Sequence, residues 1–198
     1  ERSRTNLGFG AAHNKVIPKL KSKYHIVVNP DIILKSNAIL TLCDYADEHE
    51  NVGLLSPQIK FDDGRVQQLG KRNPTFRYLG SHWFHKGDIP SKTMIEYCML
   101  DVPDNEVAEI SNATGCFMFF RTEAFKELGG FDERFFMYLE DCDIARRISE
   151  SRKYKALFFP MAEVTHLWER ESKRNKKLLA IHIHSIISYF LKWGIKIW

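Results

Sequence analysis

The chain crowds acids, aromatics and glycines into one stretch, Gly129-Gly130-Phe131-Asp132-Glu133-Arg134-Phe135-Phe136-Met137-Tyr138-Leu139-Glu140-Asp141-Cys142-Asp143, where ordinary structure would separate them. Such clustering predicts the edge of an active site. A second carboxylate arrives in Asn29-Pro30-Asp31, directly after the apolar segment Tyr24-His25-Ile26-Val27-Val28. That is the carboxyl end of a predicted strand, where open α/β sheets bind their ligands. Two separated carboxylates can divide the work between a proton acceptor and a ligand for a hard cation. Mg²⁺ or Mn²⁺ suits Asp31, because carboxylate and phosphate oxygens can share its coordination shell.

Each motif has a bland reading on its own. Asn-Pro-Asp ends many strands as a simple turn, and acids at a helix start are ordinary caps. Glu140, Asp141 and Asp143 crowd such a start. Like-charge repulsion there raises a carboxylate pKa while the helix dipole lowers it. The apolar Phe135-Phe136-Met137-Tyr138 ahead of them places the acids beside an apolar wall.

Taken in order, five segments resemble the inverting nucleotide-sugar glycosyltransferases of the GT-A fold, specifically the rhamnosyltransferase-like branch of the large second family. They are Asn6-Leu7-Gly8-Phe9-Gly10-Ala11-Ala12-His13-Asn14, Asn29-Pro30-Asp31, Gly115-Cys116-Phe117-Met118-Phe119-Phe120-Arg121, the acidic run, and His166. The resemblance implies an α/β GT-A domain with a mainly parallel central sheet, over residues 1–172, followed by an amphipathic helical segment over 173–198. It implies Asp141 as the base with Glu140 beside it, and Asp31 with His166 at the metal or diphosphate. Donor contacts fall to Asn6, Gly8, Gly10, His13, Asn14, Asn29 and Gly115. The nucleotide-binding β-α-β opening of that fold is expected to be missing, because the chain reaches the glycine loop almost at once from Glu1.

The expected activity is transfer of a sugar, rhamnose being the guess, from a nucleotide diphosphate to a saccharide or lipid-linked acceptor in cell-surface polysaccharide synthesis. No Gln-x-x-Arg-Trp motif of processive synthases occurs, which favours single additions. Two rivals stand beside this reading. A glycoside hydrolase also uses paired carboxylates but needs neither metal nor glycine loop. A catalytically silent module would only bind an acceptor or partner subunit.

Bulk properties agree with one domain. At 198 residues and 44% hydrophobic composition the chain can bury a real core, and 29 basic against 25 acidic residues leave a net charge of only +4, without the basic footprint of a nucleic-acid binder. Four scattered cysteines without a C-x-x-C pair argue against a zinc ribbon or disulfide scaffold and fit a reducing cytoplasm. Neither the dinucleotide fingerprint nor a Walker A loop occurs, and the pairs His82/His85 and His182/His184 have no acid or cysteine tied to them.

The elements that must position these residues are partly legible. Helices are predicted over 11–20, 36–50, 122–128 and 141–151, the third with Thr122 as its cap. Strands are predicted over 24–28, 52–55, 58–61, 113–121, 156–159 and 162–166. Between Lys71 and Glu109 periodicity collapses, predicting a long loop region suited to acceptor recognition. In 173–198, Leu179, Ile183, Ile186, Phe190, Trp193 and Ile197 recur at steps of three and four, with Lys176, Lys177, Lys192 and Lys196 interleaved. This segment is expected to lie at a bilayer interface or to pack on the domain or on a second subunit.

Overall fold

The computed structural model describes residues 5–84, 89–103, 105–167 and 176–197, and of 82–84 the backbone alone. The expected boundary at 172/173, the residues that follow His166 from 168 to 175, and His85 lie outside these. Among the described residues six strands form one sheet: β1 (Tyr24–Val28), β2 (Ile32–Leu34), β3 (Val52–Lys60), β4 (Ala108–Glu109), β5 (Phe117–Arg121) and β6 (Lys155–His166). Their order is β1-β5-β3-β6-β2, with β4 also on β6.

The expectation of a mainly parallel sheet is wrong. Among the described residues only β3 and β6 run parallel, whereas β1 with β5, β5 with β3, β6 with β2 and β6 with β4 are antiparallel. The reason lies in what an apolar run reports. Helices α5 (Thr122–Glu127) and α6 (Glu140–Glu150) cover one face and α2 (Ala38–Glu48) covers the other. Phe117 and Phe119 of β5 therefore pack toward Leu42 and Ala46, while Met118 and Phe120 pack toward Phe125, Ile144 and Ile148. A strand buried on both faces reads as continuously apolar whichever way its neighbours run. Each of the Leu, Ile, Met and Phe side chains among these contributes about 1.5–3 kcal/mol by leaving water.

Two pairs of expected strands are single strands. Residues 52–55 and 58–61 join as β3, and 156–159 and 162–166 join as β6. The prolines fall at one shared irregularity, where the register jumps from Pro57↔Phe159 to Gln58↔Glu163 and passes over Pro160, Met161 and Ala162. Proline has no amide to give the ladder, so it sits where the ladder is already broken. Beyond this bulge β6 also pairs with β2, which brings His166 opposite Ile32.

The long loop region holds two helices, α3 (Phe76–Phe84) and α4 (Lys92–Cys98), as well as β4. Tyr78 and Tyr97 stack between the helices with ring centroids 4.9 Å apart, and Ser91 Oγ accepts from Met94 N at 3.2 Å to cap α4. Packing against each other, rather than an apolar stripe on either alone, makes these short helices. The helix expected over 11–20 is α1 (Phe9–Asn14) followed by a 3-10 turn over Ile17–Lys19, with Pro18 inside the turn. Thr122 does not cap α5; Arg121 holds that position, and the buried Thr122 Oγ1 has no partner.

Candidate active site

The acidic run folds as a strained turn. Gly129 and Gly130 both have positive φ at the end of α5, and then Tyr138 and Leu139 adopt φ of 72° and 67° immediately before α6 begins at Glu140. Consecutive left-handed residues with side chains cost about 1–3 kcal/mol each and need surrounding structure to hold them. The last helix, α7 (Lys176–Trp193), supplies it. Leu139 is buried with Phe135, Cys142, Tyr189 and Phe190; Ser185 Oγ donates to Met137 O at 2.8 Å; and the Tyr138 ring lies 4.6 Å from that of His182.

A buried charge network ties the same two helices together. Asp143 is fully buried and accepts from Arg147 Nε at 2.8 Å, Lys192 Nζ at 2.6 Å and Trp193 Nε1 at 2.8 Å. Lys192 also reaches Asp132 at 2.7 Å, and Arg147 donates to the carbonyls of Leu128 and Gly130 at 2.8 and 2.6 Å. Every segment of the acidic turn is thus anchored.

Asp141 is fixed at the mouth of this turn. Its Oδ2 accepts from Gly115 N at 2.7 Å and its Oδ1 from Cys142 N at 2.8 Å. The residue as a whole is half-buried. Burial raises its pKa against the pull of those backbone donors. Glu140 is only 4% exposed and its Oε2 has no partner. Burial first, and the neighbouring Asp141 charge second, hold its carboxyl well above the usual range.

The glycine loop closes over the turn. Gly8 has φ 84°, and a side chain there would run into the carbonyl of Phe136. Asn6 Oδ1 accepts from Gly8 N at 3.0 Å, and Phe9 N donates to Phe136 O at 2.8 Å, so both amides are used within the protein. Asn14 clamps the backbone of Phe131 through Nδ2 to O and N to Oδ1, each at 2.8 Å. Gly10 packs on Phe131, and His13 lies 4.7 Å from the Phe9 ring with its pKa lowered by burial. Asn6, Gly8, Gly10 and Asn14 therefore dock the glycine loop on the acidic turn, with His13 against Phe9.

Asp31 and His166, 135 positions apart in sequence, meet at the end of the sheet. His166 Nε2 lies 3.2 Å from Asp31 Oδ2, and Leu167 N donates to Asp31 O at 3.0 Å. Burial lowers the pKa of His166, with Asp31 opposing. Asn29 N donates to Cys116 O at 2.9 Å. Cys116 stands between the two acids: burial, with Asp141 and Asp31 adding to it, pushes its thiol up to about 12, which leaves it unreactive.

Asp31 and His166 offer an oxygen and a nitrogen donor, and Asp31 Oδ1 is buried without a partner. Such a pair fits a divalent ion that takes its remaining ligands from elsewhere. Among the described residues no group of three His, Cys, Asp or Glu converges on one point. His182 packs on Tyr138 and His184 is exposed. A cavity of about 430 Å³ is lined by Leu20–Lys23, Arg121–Glu123 and Lys126. It lies at the far end of β5 from Gly115, roughly a five-residue strand away, and is separate from these acids.

Spacing alone gave no sign of Gln67 or Ser185, and it marked Lys192 and Trp193 only as residues of an amphipathic helix. The pattern Glu-Asp-x-Asp pointed to Asp143 only as one more acid in a first turn.

A family profile described as "Glycosyltransferase like family 2" matches residues 2–180. The chain belongs to that family. Within glycosyltransferase family 2 it is 31% identical over 178 residues to the "N-acetylglucosaminyl-diphospho-decaprenol L-rhamnosyltransferase" of Mycobacterium tuberculosis, covering 81% of this chain and 56% of that protein. It is 28% identical over 158 residues to the "Rhamnosyltransferase WbbL" of Escherichia coli K12, covering 72% of this chain and 54% of that protein. The chain thus spans about half the length of the curated relatives it matches. The solved structure of GalNAc-T7 with UDP, GalNAc and Mn²⁺ superposes with a TM-score of 0.60 at 18% identity, covering 86% of this chain and 32% of the other. This family 2 chain has a GT-A-type fold related to the rhamnosyltransferase branch.

Proposed function

We propose that the chain transfers a sugar from a nucleotide-diphosphate donor to a hydroxyl of a saccharide or lipid-linked acceptor, with inversion, in polysaccharide synthesis. One observation carries this reading: Gly115 N donates to Asp141 at 2.7 Å, and the next residue's carbonyl, Cys116 O, accepts at 2.9 Å from Asn29 N of the turn that carries Asp31, the partner of His166. The relatives' names point to rhamnose as the sugar.

In this reading Asp141 accepts the proton of the acceptor hydroxyl as its oxygen bonds to the anomeric carbon. The bond from that carbon to the phosphate oxygen breaks on the opposite face, and the nucleoside diphosphate leaves with the electron pair. Asp31 and His166 would hold Mg²⁺ or Mn²⁺, which supplies positive charge for the departing diphosphate. The raised pKa of Asp141 makes it a stronger base than an exposed carboxylate.

The outer face of α7 supports a lipid-linked acceptor. Leu179, Ile183, Ile187 and Leu191, at four-residue steps, are between 42% and 82% exposed, and Lys176 and Lys177 are exposed beside them. An apolar stripe flanked by lysines suits an anionic bilayer surface. Among the described residues no helix is long and apolar enough to cross a membrane.

The test is transfer from uridine, thymidine and guanosine diphospho-sugars with Mn²⁺, comparing the parent with Asp141→Asn. A loss of about 10²–10⁴ in kcat with the fold intact is expected. Equal rates in the two proteins would refute the assignment of the base.

A further inference from the structure

Gln67 belongs to no motif of the sequence, yet its side chain makes two reciprocal contacts with His166. Gln67 Nε2 donates to His166 O at 3.0 Å, and Gln67 Oε1 lies 3.2 Å from His166 Nδ1. The first contact settles the second. A backbone carbonyl can only accept, so the amide must turn its NH₂ toward it and its oxygen toward the ring. That oxygen also can only accept, so the hydrogen between Gln67 and the ring belongs to Nδ1.

We infer that Gln67 is a positioning residue that holds His166 as the Nδ1-protonated tautomer and so turns an Nε2 lone pair toward Asp31. The consequence is a contact between two acceptors. Nε2 and Asp31 Oδ2 face each other at 3.2 Å, and Asp31 Oδ1 is buried without a partner. Two acceptors so placed repel until a cation stands between them, and imidazole nitrogen beside carboxylate oxygen is a common donor set for divalent metals. Fixing a ligating histidine through its other nitrogen is the usual way proteins orient such a ligand.

The local fold makes Gln67 a rigid support. It is only 2% exposed, and its N–H donates to Ile59 O at 2.9 Å at the end of β3. The tight turn before it is closed by Gly64 at φ 86°, by Arg65 N to Asp63 Oδ1 at 3.0 Å and by the bridge from Lys60 to Val66. The amide is therefore delivered by the turn after β3 to the last residue of β6.

The metal part of this inference rests on the proposed function, whereas the tautomer does not. The deciding measurement is a long-range ¹H–¹⁵N correlation spectrum of the metal-free protein labelled at histidine, at pH 7.5, for the parent, Gln67→Leu and Gln67→Glu, with Mn²⁺ titrated calorimetrically into each. In the parent, His166 is expected to show hydrogen on Nδ1 alone. Gln67→Leu should move the hydrogen to Nε2, where it can be donated to Asp31, and weaken Mn²⁺ binding about 10- to 100-fold. Gln67→Glu keeps an acceptor oxygen for Nδ1 while losing the donor to His166 O, so it should retain the parent tautomer. Hydrogen on Nε2, or on both nitrogens, in the parent overturns the inference, and that spectrum decides even if Gln67→Leu fails to fold. An Nδ1 pattern without any Mn²⁺ binding would instead overturn the metal reading of the site and leave the tautomer assignment in place.

Discussion

Replacing Asp143 by alanine should unfasten the acidic turn from α7. The side chain is fully buried and takes hydrogen bonds from Arg147, Lys192 and Trp193, at 2.8, 2.6 and 2.8 Å. Removing one partner of a buried ion pair typically costs about 3–5 kcal/mol, because the other charges stay behind without it. Two fallbacks soften the loss: Lys192 keeps Asp132, and Arg147 keeps the carbonyls of Leu128 and Gly130. The cost should therefore fall near the lower end, about 3 kcal/mol. For a chain of this size that lowers Tm by about 6–12 °C. Urea unfolding monitored by tryptophan fluorescence gives the free energy. A double-mutant cycle with Lys192→Ala should show coupling of about 0.5–3 kcal/mol. If Asp143→Ala costs under 1 kcal/mol, or the cycle shows no coupling, then α7 does not hold the turn through this residue.

Three further outcomes follow from the same geometry. Burial raises the Glu140 carboxyl above its unfolded value, so its contribution to stability is full at acid pH and is lost as pH climbs through the raised value. Glu140→Gln should therefore gain stability relative to the parent between pH 5 and pH 9, about 1.4 kcal/mol for each pH unit by which the carboxyl was displaced; parallel pH profiles for the two proteins would refute this. Gly8→Ala forces a side chain into a left-handed position against Phe136 O and should cost more than about 1 kcal/mol in thermal unfolding, so an unchanged Tm would mean that the glycine loop does not dock on the turn. Ile187→Glu, on the exposed stripe, should leave Tm unchanged while reducing co-sedimentation with anionic lipid vesicles; equal sedimentation would argue against a bilayer-facing α7.

Sequence alone marked the local segments to which the chemistry is assigned here and the faces that are apolar. The order of glycine loop, Asn29-Pro30-Asp31, Gly115, Glu140-Asp141 and His166 is visible because short motifs leave their marks in adjacent residues. Helices α2 and α6 were visible because burial on one side of a helix repeats every three or four positions. Tertiary structure decided the rest. Strand direction was hidden because β3, β5 and β6 are covered on both faces, and burial carries no information about polarity. Helices α3 and α4 were hidden because they stabilise each other. The pairing of Gln67 with His166, 99 positions apart, and of Asp143 with Trp193, 50 apart, depends on side chains whose partners come from other elements. Local spacing encodes local burial, whereas a hydrogen bond between distant segments exists only once the sheet and α7 have brought its two ends together.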